Sequence, residues 1–190
     1  MEPRIIVTLA FALLLSPSLG HADTSNKSAF KQEAQSKRAA FREGLKSENR
    51  SFRESLKGKS REERMRSRLE HKGQNFDKRK EFRETLHQER MEHLKSQLAK
   101  NTSLTEEQKA QILQHRQTQY SENAAFREKQ HQDLTSFIKQ TQEDSSLSGA
   151  QKKDLIRNYV KQQNEAAKQY METQQNENKE FRGGLKPAVN

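Results

Sequence analysis

The sequence predicts an all-α protein built from long amphipathic helices. Glu, Lys, Arg, Gln and Ala, all strong helix formers, dominate the chain beyond its first 22 residues. No proline occurs between Pro17 and Pro187, so no residue in that stretch is barred from a helix interior. Phenylalanine recurs at eleven-residue intervals at Phe30, Phe41 and Phe52, which is close to three helical turns. We therefore expect an elongated helical hairpin or cradle with coiled-coil-like packing.

Residues 1–22 are typical of a removable export signal. Arg4 precedes the apolar run of residues 5–15, and Pro17 then interrupts that run. Small residues at the −3 and −1 positions place cleavage after Ala22. The apolar run is shorter than the ~20 residues that a membrane span needs. We therefore expect an exported protein, and because the chain has no cysteine, no disulfide can stabilise it.

Repeats of a Phe-Arg-Glu sequence define the first predicted region, residues 23–100. The sequences AFREGLK, SFRESLK and EFRETLH begin at residues 40, 51 and 81, and related copies follow in the second half of the chain. We predict that this region is helical from about residue 28. Because glycine weakens a helix interior, we expect the helix to break or bend near Gly58 and Gly73.

Two copies of one helix-start pattern define the second predicted region, residues 101–186. The copies read LTEEQKAQI and LSGAQKKDL. In each copy a hydroxyl group and a glutamine three residues later can form a capping box, in which each side chain accepts from the other residue's backbone N–H. We predict an antiparallel hairpin of helices over residues 105–142 and 148–182, followed by a tail at residues 187–190. The pattern residues are Leu104, Thr105, Gln108, Leu147, Ser148 and Gln151.

Positive charge is concentrated in the first predicted region. Residues 23–100 contain 22 basic and 13 acidic side chains, whereas residues 101–190 contain 13 and 12. Such a surface is either a solvated helical face or a face that attracts acidic partners, including anionic surfaces and acidic unfolded proteins. No nucleic-acid-binding motif is present, so we expect no specific nucleic-acid partner.

The repeated Phe-Arg pairs allow two interpretations. The eleven-residue spacing fits a packing stripe against a neighbouring helix. It also fits a client-binding surface on which Phe gives apolar contact and Arg gives long-range attraction. In the second interpretation the client-binding residues are Phe41, Arg42, Phe52, Arg53, Arg64, Arg66, Phe82, Arg83 and Leu86.

The sequence offers little support for catalysis. It contains no cysteine nucleophile, no G-x-S-x-G and no phosphate-binding glycine loop. His87 and Met91 share a helix face, but His93 lies well around the helix from them, so these three do not predict a metal site. The five histidines beyond residue 22 are interpreted as surface residues. We expect neither an enzyme nor a cofactor.

The two pattern copies resemble the paired LTxxQ motifs of the Spy/CpxP family of bacterial periplasmic proteins. The resemblance covers roughly residues 101–182, and the second copy has Ser148 where the motif has threonine. It implies an all-helical, antiparallel, cradle-shaped homodimer in the periplasm. It also implies an ATP-independent chaperone or a modulator of envelope stress signalling, in which the motif residues support the helix architecture.

Together these features predict an exported chaperone-like protein that binds unfolded or envelope proteins without a nucleotide. Two alternatives remain open, namely a structural coiled-coil scaffold of the cell envelope and a regulator that docks on the outer domain of a stress sensor. A chaperone binds many unfolded proteins weakly, a scaffold associates tightly with itself, and a regulator has one saturable partner.

Overall fold

The computed structural model describes residues 24–185 of the chain, with side chains described from residue 28. These residues form four long helices, α1 (Thr24–Ser55), α2 (Arg61–Lys100), α3 (Glu106–Glu143) and α4 (Gly149–Gly184). Because the described residues contain no strand, the predicted all-α class is confirmed. The export signal predicted over residues 1–22 and the tail predicted over residues 187–190 lie outside the described residues.

Glycine interrupts the helices at one of the two predicted places. The chain leaves the helix between Ser55 and Arg61, where Gly58 adopts a φ of 78°, a left-handed conformation that favours glycine. Gly73 lies inside α2, which continues through it, so of the predicted break or bend at this position the break does not occur. One interior glycine costs only about 1 kcal/mol, which the strong helix formers on both sides offset.

A capping box that sequence reasoning missed starts α2. The backbone N–H of Glu63 donates to Ser60 Oγ at 3.2 Å, and the N–H of Ser60 donates to Glu63 Oε2 at 2.8 Å. Because these bonds stabilise the charged carboxylate, they hold the pKa of Glu63 below its usual value. The signal that could have found this cap is the S-x-x-E spacing.

The described residues divide into two compact units, with the boundary inside α2 between His71 and Lys72. Residue 100, at which the sequence analysis divides the chain, is the last residue of α2 and lies within the second unit. In the first unit, α1 and the start of α2 are joined by the turn at residues 56–60 and contact each other through His71. The Phe52 ring stacks on the His71 ring with centroids 3.8 Å apart, and Asn49 Oδ1 lies 2.8 Å from His71 Nε2.

The second unit contains three antiparallel helical segments, residues 72–100 of α2 followed by α3 and α4. Phe76 stacks on His131 and His87 on Tyr120, so α2 and α3 run in opposite directions. The backbones of α3 and α4 approach each other most closely. Their seam is polar, since Asn123 Nδ2 donates to Gln174 Oε1 at 3.3 Å. The hairpin predicted for these two helices is therefore confirmed.

Few side chains are buried in the described part of the chain. The buried apolar residues are small or aliphatic, namely Ala34, Leu45, Leu56, Leu86, Leu98 and Ala167. The buried polar residues lie on α3 and α4, namely Gln119, Asn123, Thr141 and Gln174. Because this apolar core is thin, contacts between rings and between amide groups must supply much of the tertiary stabilisation.

Alanine substitutions at Gly58 and Gly73 should change stability in opposite directions. A Cβ is disfavoured at the positive φ of Gly58, so G58A should lower the free energy of unfolding by about 1–2 kcal/mol. A Cβ at Gly73 meets no atom within 4 Å, so G73A should raise it by up to about 1 kcal/mol. Urea denaturation followed by circular dichroism measures both changes. Changes of the same sign would contradict the two conformations.

Candidate functional site

Both LTxxQ-like copies form the predicted capping boxes. Thr105 Oγ1 accepts from the N–H of Gln108 at 3.2 Å, and Gln108 Oε1 accepts from the N–H of Thr105 at 2.9 Å. Ser148 and Gln151 form the same pair of bonds at 3.3 and 2.8 Å. Serine therefore replaces threonine in the second copy without loss of the cap. The leucine of each copy is half-buried beside it.

Each copy extends three residues upstream of its leucine, into turns that the sequence predicts at residues 101–103 and 144–146 but does not mark as part of the repeat. Asn101 Oδ1 accepts from the backbone N–H and the hydroxyl of Ser103 at 2.9 and 2.7 Å. Asp144 Oδ1 accepts from the same two groups of Ser146 at 2.9 and 2.6 Å, which lowers the pKa of Asp144. The full repeat is therefore [N/D]-x-S-L-[S/T]-x-x-Q-K. We call it the turn-and-cap unit, because it ends one helix with an Asx turn and starts the next.

The lysine of the second turn-and-cap unit joins α4 to the end of α3. Lys152 Nζ donates to the carbonyl oxygen of Gln142 at 2.7 Å, so it satisfies an open carbonyl in the last turn of α3. In the first unit Lys109 Nζ instead pairs with Glu106 at 2.7 Å. The two caps, the two Asx turns and the Lys152 contact all hold backbone groups, so these residues have a structural role in this chain.

Aromatic rings stack in pairs at eleven-residue intervals along α3 and α4. The ring centroids lie 3.8 to 4.0 Å apart, and the ring planes are within 12° of parallel. Eleven residues span about 16 Å of helix, so the pairs form widely spaced rungs. The rungs are His115–Phe181, Phe126–Tyr170 and Phe137–Tyr159. For these phenylalanines the packing interpretation of the stripe is confirmed.

An amide group holds three of the stacked histidines. In each case an Asn or Gln lies three residues before the partner ring, and its side-chain oxygen lies 2.8 to 3.2 Å from Nε2 of the histidine. This amide–ring–histidine arrangement occurs in Asn49–Phe52–His71, Gln117–Tyr120–His87 and Asn178–Phe181–His115. All three histidines are half-buried and stack on a ring of a neighbouring helix, a role that the sequence analysis did not assign to them. The spacing of eleven between His115 and Phe126 is the signal that could have found His115.

A fourth histidine, His131, stacks on Phe76 with centroids 3.9 Å apart. The residue three before Phe76 is Gly73, which offers no side-chain amide. Burial, and after it the positive charge of Lys72, lowers the pKa of His131 below its usual value. The carboxylates of Asp77 and Glu128 oppose this shift without reversing it. The fold therefore favours the neutral imidazole.

The predicted client-binding residues differ in exposure. Four are exposed and belong to the first unit, namely Arg42, Arg53, Arg64 and Arg66. Four are half-buried, namely Phe41, Phe52, Phe82 and Arg83. Leu86 is 6% exposed, so it is a core residue that offers no surface to a client. The accessible part of the predicted set is therefore its arginines.

The described residues contain no group of three or more His, Asp or Glu side chains that could hold a metal ion. His87 and Met91 line the same groove between α2 and α3, but His93 does not. No helix within residues 24–185 combines the length and the apolar character that crossing a membrane requires. Comparisons with known protein families, with curated proteins and with solved structures give no match for this chain.

Removing the hydroxyl of either cap should destabilise the fold. T105A and S148A each leave backbone N–H groups of a first turn without a side-chain acceptor, so each should lower the free energy of unfolding by about 1 kcal/mol. S121A is the matched control, because Ser121 is exposed in the interior of α3 and caps no helix. Urea denaturation compares the three. An equal effect in S121A would contradict the capping role.

His131 should make the folded chain less stable as pH falls. Because its folded pKa is lowered, the unfolded chain binds more protons as pH falls through about 6.5, and the contribution of His131 is lost below that value. H131F retains a ring on Phe76 and removes the titration. The stability difference between wild type and H131F should therefore shift against wild type between about pH 7 and pH 5. A difference independent of pH would contradict the assignment.

Proposed function

We propose that this chain is an exported, ATP-independent chaperone-like protein that binds unfolded or envelope proteins carrying acidic segments. The observation that carries the proposal is the set of exposed arginines in the first unit, Arg42, Arg53, Arg64 and Arg66. The whole chain has a net charge of +10. Such a surface attracts acidic partners over a distance, and salt weakens that attraction.

The neighbours of these arginines suit weak and reversible binding. Arg42 follows the half-buried Phe41, and Arg53 follows the half-buried Phe52, so each of these exposed arginines is next in sequence to a partly accessible ring. Apolar stabilisation scales with the area removed from water, so partly covered rings add little. An unfolded client is attracted mainly by charge, and the weak apolar contact that adds to this attraction is lost when folding hides the client's own apolar groups.

The proposed location is the periplasm. This rests on the export signal interpreted over residues 1–22 and on the resemblance of the turn-and-cap units to the LTxxQ motifs of the Spy/CpxP family. The same resemblance, together with the thin apolar core, supports a homodimer, because a second copy would bury apolar surface that one chain leaves in water. An anionic surface is a further possible partner of the exposed arginines.

A coiled-coil scaffold of the cell envelope is the second candidate. The observation that favours it is the regular eleven-residue spacing of the rings, which is typical of long helical assemblies. A scaffold predicts tight self-association and no binding of unfolded proteins. A regulator of a stress sensor predicts one saturable partner instead.

The proposal is tested by aggregation of a chemically unfolded acidic protein, followed by light scattering. The chain from Asp23 onward is added in substoichiometric amounts at low and at physiological salt. We expect suppression of aggregation that weakens with salt, because the exposed arginines are screened. We expect most of the suppression to be lost in a variant that carries R42E, R53E, R64E and R66E.

The matched control changes the same number of charges on α3 and α4. The variant with K139E, K153E, K161E and K168E alters four exposed lysines that form no ion pair among the described residues. It should retain more activity than the arginine variant. An equal loss of aggregation suppression in both variants would mean that net charge alone, and not the position of the arginines, explains the suppression. A helical sample that suppresses nothing at either salt would contradict the chaperone proposal.

A further inference from the structure

Positive charge follows the ring spacing along α4. Each ring of this helix is preceded by a cation two residues earlier in the sequence. Two residues turn a helix through about 200°, so each cation lies on nearly the opposite side of α4 from its ring. The three pairs are Arg157 with Tyr159, Lys168 with Tyr170, and Lys179 with Phe181.

Two further lysines extend this line of charge. Lys153 and Lys161 lie four residues before and after Arg157, which places them within about 40° of the line. All five side chains are exposed, and from Lys153 to Lys179 they span about 39 Å of helix. We call these five residues the α4 cation row, namely Lys153, Arg157, Lys161, Lys168 and Lys179.

The side of α4 that carries the row points away from the helix on which α4 packs. The three rings of α4 stack on α3, and the buried Gln174 accepts from Asn123 of α3. The row lies opposite these rings. Within the second unit, α4 is therefore an edge helix whose outer side is basic.

Few carboxylates neutralise the row. Arg157 Nη1 lies 3.5 Å from Asp154 Oδ1, but both side chains are more than half exposed, so this pair contributes little. The four lysines of the row form no ion pair among the described residues. Between Lys153 and Lys179 the other residues within about 40° of the line are Asn164, Glu172 and Gln175. This side of α4 thus has five cations, one carboxylate and no apolar side chain.

We propose that the α4 cation row binds the surface of an anionic lipid bilayer. A row along one side of a helix meets a plane over its whole length, so all five cations can reach lipid headgroups together. Each Lys or Arg beside an anionic leaflet strengthens binding about fivefold. Because the row carries no apolar side chain, the chain binds peripherally and does not insert among the acyl chains.

This binding uses residues of the second unit alone. It is therefore distinct from the attraction of partners by the exposed arginines of the first unit, and it does not depend on the proposed chaperone activity. The lysines of the row can be changed without loss of a packing contact, because they are exposed and lie opposite the rings.

Sedimentation with vesicles tests the proposal. We expect the chain from Asp23 onward to bind vesicles of equal parts phosphatidylglycerol and phosphatidylcholine, to bind less as salt is raised, and not to bind phosphatidylcholine alone. Binding should weaken at least about a hundredfold in a variant that carries K153Q, K161Q, K168Q and K179Q. Glutamine and lysine have similar helix propensity, so this variant should have the circular dichroism spectrum of the wild type.

Two matched variants separate the row from net charge. The first carries R42Q, R53Q, R64Q and R66Q, which removes the same number of charges from the first unit, and it should retain most of the binding. The second carries K153R, K161R, K168R and K179R, which keeps the charges of the row, and it should bind as the wild type does. Equal loss in the two glutamine variants would overturn the proposal.

A fluorescent label identifies the side of the molecule that meets the bilayer. The chain has no cysteine, so a single introduced one carries the label. Q175C places the label beside the row, and Q88C places it at an exposed position of α2. Binding to the mixed vesicles should shield the label at residue 175 from iodide and leave the label at residue 88 accessible.

Three further outcomes would overturn the membrane assignment. The first is equal binding to the mixed vesicles and to phosphatidylcholine alone. The second is equal shielding of the two labels. The third is binding of polyglutamate as tight as that of the mixed vesicles and abolished by the same four lysine-to-glutamine substitutions, which would assign the row to an acidic protein instead.

Discussion

Face-to-face stacking of rings between antiparallel helices is the contact on which the rest of this structure depends. The chain buries few apolar side chains, and those that it buries are no larger than leucine. A stacked pair of rings buries a large apolar area in one contact, but only when the two helices place the rings at the same level along their axes. On α3 and α4 this condition is met every eleven residues, from His115 to Phe137. These stacked ring pairs supply apolar contact at regular intervals, and this contact allows long helices with polar surfaces to pair.

The polar residues near the stacked rings differ from one ring pair to the next. An amide three residues before the partner ring orients His71, His87 and His115. The arginines that follow the phenylalanines of the repeat are exposed in some copies and half-buried in others. In the first unit Arg42 and Arg53 are exposed. In the second unit Arg83 and Arg127 are half-buried, where charge has a higher energetic cost.

Local signals allowed much of the fold to be predicted. The all-α class, the caps at Thr105 and Ser148 and the hairpin of α3 and α4 follow from propensity, hydroxyl–glutamine spacing and short turns. The continuity of α2 through Gly73 could not be predicted, because the cost of one glycine is small and the context outweighs it. The burial of Leu86 was within reach of the sequence, because Leu45 and Leu56 at the equivalent positions of the repeat are buried as well. The half-burial of Arg83 was not, because Arg42 and Arg53 at the equivalent positions are exposed.

The periodic rungs have a further consequence for folding. If α4 slid along α3 by eleven residues, Phe181 would meet Phe126 and Tyr170 would meet Phe137, so two of three rungs would still be filled. Ring stacking alone therefore permits an alternative alignment about 16 Å away. The turn-and-cap unit removes this ambiguity, because its Asx turn at Asp144 and its cap at Ser148 allow only a tight connection. The second copy of the turn-and-cap unit thus selects one of the two alignments that ring stacking alone would allow.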